Sequence, residues 1–216
     1  MATMSKEATK IFLMSLVANQ SPGRKPYKVN TNDFDEEWSQ KSIGRDFKFS
    51  KKRSLLSYSA EFGFKRVVSF LLDTGVVDVD STDNDGRTPL SWAVEKGHEA
   101  VVKLLLETDK VDANAQGGKC DNALYVASSR GHEKVVQTLL ENNADVNAQG
   151  GKYGNALQAA SEGGHVQVVQ MLLENNADVN AQGGLYGNAL QAALEGGHEK
   201  VVQILRKKIN GQTATK

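Results

Sequence analysis

Apolar positions recur along most of this chain in one short pattern. Leu90, Ala93 and Val94 mark one face of a brief helix, and Val101, Val102, Leu105 and Leu106 mark a second at one-turn spacing. Thr88 suits the N-cap of the first helix, because its hydroxyl can accept from an otherwise unpaired amide. Pro89 then occupies the first helical position, where its missing donor costs nothing. Gly97 suits the left-handed residue that closes a helix. After Leu106 the chain turns and runs through VDANAQ to the next start. The predicted unit is helix, turn, helix, hairpin-like loop.

The pattern then repeats every 33 to 34 residues. Gly97-His98 returns as Gly131-His132, Gly164-His165 and Gly197-His198, and each copy precedes a Val-Val pair, Val101-Val102 through Val201-Val202. Residues 150–172 and 183–205 match at 18 of 23 positions, which marks a duplicated unit and not a chance likeness. Such a period is the signature of stacked helical units that share one continuous core, and Leu140, in a middle unit, is assigned to that core. An array of this kind offers an extended concave surface in place of a deep cleft. Five units are read, starting near residues 49, 83, 117, 150 and 183, so the expected division is a non-repeat extension over 1–48 and repeats over 49–216.

The stretch DNDGRTPLSWA…GH…VVKLLL resembles the ankyrin repeat, with its pattern D-x-x-G-x-T-P-L-H-x-A…G-H…V-V-x-L-L-L-x-x-G-A-D-V-N-A. The likeness runs from about Phe49 to Asn210, roughly three quarters of the chain, and the GNALQAA…NNADVNAQGG runs are similar to fungal ankyrin repeats. It implies an all-α ankyrin-repeat solenoid. Units three to five replace Thr-Pro by Asn122-Ala123, Asn155-Ala156 and Asn188-Ala189, and Asn caps as well as Thr. The tip glycine held by Gly86 becomes Cys120, Tyr153 and Tyr186, with glycines close by. The family's His after Thr-Pro-Leu becomes Ser91, Tyr125, Gln158 and Gln191, and the turn glycine becomes Asn143 and Asn176. Asn also tolerates positive φ. The first unit keeps the apolar skeleton but has Phe64 where His is usual. The last ends Leu205-Arg206-Lys207-Lys208, as suits a terminal unit with one open side.

Composition narrows the partners. Formal net charge is zero, so nothing draws the chain generally to nucleic acid or to acidic membranes. A single cysteine, Cys120, excludes an intrachain disulfide framework. The run Ile11 to Ala18 is too short to span a bilayer, and Glu7 and Asn19-Gln20 spoil it as a signal-peptide core. The expected location is the cytoplasm or nucleus. Within 1–48, Lys6 to Val17 reads as an amphipathic helix, and Phe34 and Trp38 flank the acidic run Asp35 to Glu37. This extension is either a cap over the first unit or an arm that builds a site.

Catalytic or metal chemistry finds little support. His98, His132, His165 and His198 occupy one repeat position, so they stand about 10 Å apart, while a zinc ion needs ligands within about 2.1 Å of itself. By resemblance this His bridges backbone groups between loop and helix. Cys120 has no identifiable base. Glu162 and Glu195 are equivalent residues of neighbouring units, either an acid/base pair or, more in keeping with their setting, a solvated or partner-facing charge row. No phosphate loop, dinucleotide fingerprint or nucleophile elbow is present. No catalytic residue, cofactor or metal is assigned.

By the same resemblance, binding uses the hairpin tips and the exposed side of each first helix. Mapped onto this chain, that face comprises Arg53, Asp85, Arg87, Trp92, Glu95, Lys119, Asp121, Tyr125, Arg130, Lys152, Tyr153, Glu162, Tyr186 and Glu195. Trp92 and Tyr125 serve either as interface anchors or as packing between first helices. The expected function is non-catalytic binding of another protein through the concave face, by a monomer, with no nucleic acid and no membrane involved. The alternative is a small-molecule or enzymatic adaptation, with a pocket between the N-terminal arm and the middle repeats.

Overall fold

The computed structural model describes residues 53–75, 77–108, 110–117 and 121–213. The expectations placed on residues 1–48, on Lys119 and on Cys120 lie outside them. The chain divides into two compact units between Lys110 and Val111.

The first unit holds α1 (Leu55–Glu61), α2 (Lys65–Asp73), α3 (Pro89–Lys96) and α4 (Glu99–Leu106). Each helix starts or ends for a local reason. Ser54 caps α1 by accepting from the Ser57 amide. Thr88 does the same for Ser91 at α3, and the Ser91 hydroxyl accepts in return from the Thr88 amide. Pro89 sits at the start of α3, and Gly97 ends it at φ 74°, as the sequence predicted. First helices pack on first helices, α1 on α3, and second on second, α2 on α4.

The second unit repeats this with two short hairpins added. It contains β1 (Gln116–Gly117), β2 (Asp121–Asn122), α5 (Ala123–Ser129), α6 (Glu133–Glu141), β3 (Gln149–Gly150), β4 (Gly154–Asn155), α7 (Ala156–Glu162), α8 (Val166–Glu174), α9 (Ala189–Glu195) and α10 (Glu199–Thr213). β1 pairs antiparallel with β2, Gln116 opposite Asn122, and β3 with β4, Gln149 opposite Asn155. The last hairpin shrinks to a single bridge between Gly183 and Gly187. Asn122, Asn155 and Asn188 cap α5, α7 and α9 through their side-chain oxygens, so the Thr-Pro replacement leaves the helix starts intact. Asn143 and Asn176 adopt φ 61° and 66° at the turns where the family carries glycine. The first helices α5, α7 and α9 form one layer and the second helices α6, α8 and α10 the other.

In each unit the core runs between its two layers of helices. Val101, Val102 and Leu105 of α4, Val135, Val136 and Leu139 of α6, and Val168, Val169 and Leu172 of α8 are each at most 1% exposed. Short residues fill the first-helix side, with Ala93, Ala127, Ala159, Ala160, Ala192 and Ala193 all at 0%. They let helix backbones approach closely, which a 33-residue repeat needs. Leu140 corrects the expectation from sequence. It is only half-buried, whereas Leu139 is fully buried. Leu139 points between the layers and Leu140 lies at the flank of its helix row, whereas in α8 both Leu172 and Leu173 are buried. On α10 Arg206, Lys207 and Lys208 are exposed while Leu205 is at 0%.

Leu139→Ala therefore removes a fully enclosed side chain and is expected to cost about 2–5 kcal/mol in urea unfolding. Leu140→Ala should cost clearly less. Equal losses would show that the leucine pair is not split between core and flank.

Candidate interaction surface

The side chains between repeats fix how each hairpin face is presented. Asparagines of the loops clamp the next turn. Asn114 donates from Nδ2 to Asn143 O (3.1 Å) and accepts from the Asp145 amide at Oδ1 (2.7 Å). Asn147 does the same one repeat later with Asn176 O and the Asp178 amide. Gln158, 2% exposed, donates from Nε2 to Gly183 O (3.1 Å) and Gly187 O (3.2 Å), pinning the last hairpin to α7. Tyr125, at the same repeat position, accepts at Oη from the Tyr153 amide (3.2 Å). Gln191 has no later hairpin among the described residues and pairs instead with Glu195 of its own helix.

The histidines act in the opposite direction along the array. His98 Nε2 meets Glu61 O at 3.0 Å, His165 meets Ser129 O at 3.2 Å and His198 meets Glu162 O at 2.8 Å. Each acceptor is a carbonyl at the end of the preceding repeat's first helix, one of the groups that a helix leaves without an internal partner. The bridge thus joins repeat to repeat, not merely loop to helix. His132 begins α6 with the same backbone conformation, φ −79° and ψ 74°. The imidazole lies so close to the preceding repeat that a Cβ on Gly131 would stand 2.5 Å from His165 Nδ1. Gly131 also adopts φ 69°, so backbone and packing both require glycine there. Among the described residues, no three His, Cys, Asp or Glu side chains are placed to hold a metal ion.

In the first unit the named residues form one stack. The Arg53 guanidinium lies 4.2 Å over Tyr58 and 3.8 Å over Trp92, and Arg87 lies 4.7 Å from the same indole. Arg53 pairs with Glu61 at 2.6 Å, and Arg87 pairs with Glu95. Trp92 is half-buried and donates from Nε1 to Asp83 (3.0 Å). Trp92 is thus held between two cations. Asp85 is exposed at the loop tip, its amide donating to Asp83 (2.9 Å).

In the second unit Tyr153 and Tyr186 stack, rings 5.8 Å apart and 7° from parallel. Lys152 Nζ lies 5.2 Å from the Tyr153 ring centre. Glu162 is half-buried, and Glu195 and Arg130 are exposed. Asp121 pairs with Gly117 across the first hairpin. Tyr125 departs from the surface assignment. It is 5% exposed, because its ring fills the space between α5 and the next hairpin that its hydroxyl holds. Leu185, which the sequence places at the last hairpin tip, is 55% exposed, and Leu194 on α9, which it does not single out, is 43% exposed. The position of Leu185 is polar in other repeats, Lys152 in unit four, whereas that of Leu194 is Ala60, Val94, Ser128 and Ser161 elsewhere, each fully buried. A groove of about 580 Å³, lined by Gln170, Leu173, Glu174, Ile204, Lys207 and Lys208, lies on the second-helix layer instead.

The repeat geometry agrees with comparison to known families. The family model for ankyrin repeats in three copies matches residues 33–117, 56–150 and 110–183, together well over half of the chain. The chain belongs to the ankyrin-repeat family. Ankyrin repeats are protein–protein interaction modules. No curated protein matches this one. No helix among its described residues is long and apolar enough to cross a membrane.

His165→Ala leaves the Ser129 carbonyl without its donor, and Gln158→Ala leaves two hairpin carbonyls without theirs. Each ankyrin-repeat variant should lose about 1–3 kcal/mol of stability, read as a lower melting temperature by circular dichroism. An unchanged melting temperature in both would show that these bridges do not tie the repeats.

Proposed function

We propose that this ankyrin-repeat protein holds another protein against its first-helix and hairpin face, without catalysis. The observation that supports the reading is the placement of its exposed apolar side chains. Among the described residues the exposed large hydrophobics are Leu185 and Leu194, at a hairpin tip and on a first helix. Leu185 directly precedes Tyr186 of the stacked Tyr153–Tyr186 pair. Stacked tyrosines with a neighbouring leucine are the kind of anchor that carries interface energy, since they bury much area with few rotatable bonds. On this reading Lys152, Tyr153, Glu162, Tyr186 and Glu195 contact the partner, Asp85, Arg87, Glu95 and Arg130 line the same face of their own repeats, and Arg53, Trp92 and Tyr125 support it from within. Residues 1–48 form a separate extension to repeats that begin near residue 49.

A displayed peptide library selected against the full chain supplies binders with which to test this. Tyr186→Ala should weaken a selected binder by about 1–3 kcal/mol. Lys103→Ala and Lys200→Ala, exposed on second helices, should leave its affinity unchanged. Equal losses at both sets would assign the partner to a different face.

A further inference from the structure

Repeats one and two satisfy a carboxylate that repeats four and five leave open. Glu61, Glu95, Glu162 and Glu195 occupy one position, seven residues after the helix cap and within the last two residues of the first helix. In repeats one and two the residue just before the helix cap is arginine, Arg53 or Arg87. It reaches eight residues along to Glu61 or Glu95 and lies against aromatic rings. In repeats four and five that residue is glycine, Gly154 or Gly187. Among the described residues neither Glu162 nor Glu195 has a cationic partner. Glu162 keeps only its backbone bond to His198, and Glu195 accepts only from the neutral Gln191 amide.

The vacated positions are built differently. At Gly154 an added Cβ would run into Gln158 Oε1. That oxygen belongs to a side chain 98% buried, and it has no hydrogen-bond partner. It faces the place where repeats one and two carry their arginine stem. At Gly187 nothing lies within 4 Å of an added Cβ, so the space is open. Aromatic surface is retained by another route. The helix positions of Tyr58 and Trp92 become Ala159 and Ala192, but a tyrosine now precedes each glycine, Tyr153 and Tyr186. Lys152 already lies over the Tyr153 ring, so that ring accepts a cation. In repeat five the equivalent residue is Leu185, which leaves Glu195 uncontested.

We infer that Glu162 and Glu195 receive arginine side chains from a partner polypeptide, which supplies in trans the guanidinium that repeats one and two carry in cis. This rests on the protein-binding reading of the same face and names the chemistry of its partner. Arginine fits better than lysine, because a planar guanidinium can bond a carboxylate while stacking on a tyrosine. Adjacent first helices are about 9–10 Å apart. An extended segment advances about 3.1–3.4 Å per residue. The two acceptors therefore match arginines three residues apart, with the intervening residues lying over the Tyr153–Tyr186 pair.

The test titrates fluorescein-labelled peptides of sequence GSGRPSRGSG and GSGKPSKGSG into the full chain and follows anisotropy. The arginine peptide should bind more tightly than the lysine peptide and weaken as salt is raised. Glu162→Gln with Glu195→Gln, which keeps shape and removes charge, should weaken it about tenfold or more. Gly187→Arg restores the guanidinium in cis and should block the peptide. Should that variant fold poorly at φ 81°, the glutamine pair decides alone. Unchanged binding in the glutamine pair overturns the inference. Library-selected peptides without paired arginines that still depend on Tyr186 overturn it too, while leaving the face as an interaction surface. If no selected peptide depends on Tyr186, both readings fall.

Discussion

A single repeat of this protein cannot close its own core. Each contributes two short helices, of seven to nine residues apart from the last, too short to be stable alone in water. Their apolar faces are covered only when the next repeat stacks against them. That mutual dependence explains the sequence economy. Alanine lines the first helices so that backbones approach, and Val-Val-x-x-Leu fills the space between layers. It also explains why polar residues matter so much here. Stacking by apolar contact alone fixes distance but leaves the register loose.

Register comes from side chains that reach backbone groups of neighbouring repeats. His165 and His198 bond carbonyls at the end of the preceding first helix, while Asn114, Asn147, Tyr125 and Gln158 bond the following turn or hairpin. Each satisfies a group that a short helix or tight loop would otherwise leave bare. The hairpins therefore project from a rigid base. That is what an interaction surface on tips requires, since anchors held in place lose little freedom on binding.

The same repeat position has been put to different uses along the chain. The residue after Thr-Pro-Leu or Asn-Ala-Leu is Ser91 in a capping pair, Tyr125 and Gln158 in bridges, and Gln191 bonded to its own helix. The residue before the cap is an arginine locked to its own glutamate in repeats one and two, and a glycine in four and five, where the glutamate meets no cation among the described residues. Duplication supplies the scaffold, and substitution at equivalent positions decides whether a charge is spent inside or offered outside.

The sequence by itself determined the period, the helix caps, the positive-φ asparagines and the family. All of these depend on residues within one repeat length, where spacing and local chemistry leave few options. Tertiary structure alone decided that Leu139 and not Leu140 is fully enclosed, that Tyr125 is buried and Trp92 lies between two arginines, and that the histidines tie one repeat to the one before. It also left Leu194 exposed and the space at Gly187 open. Those outcomes depend on what the neighbouring repeat places against each side chain. A residue's own identity cannot carry that, because identical positions in this chain end up buried, bridging or exposed according to what stacks on them.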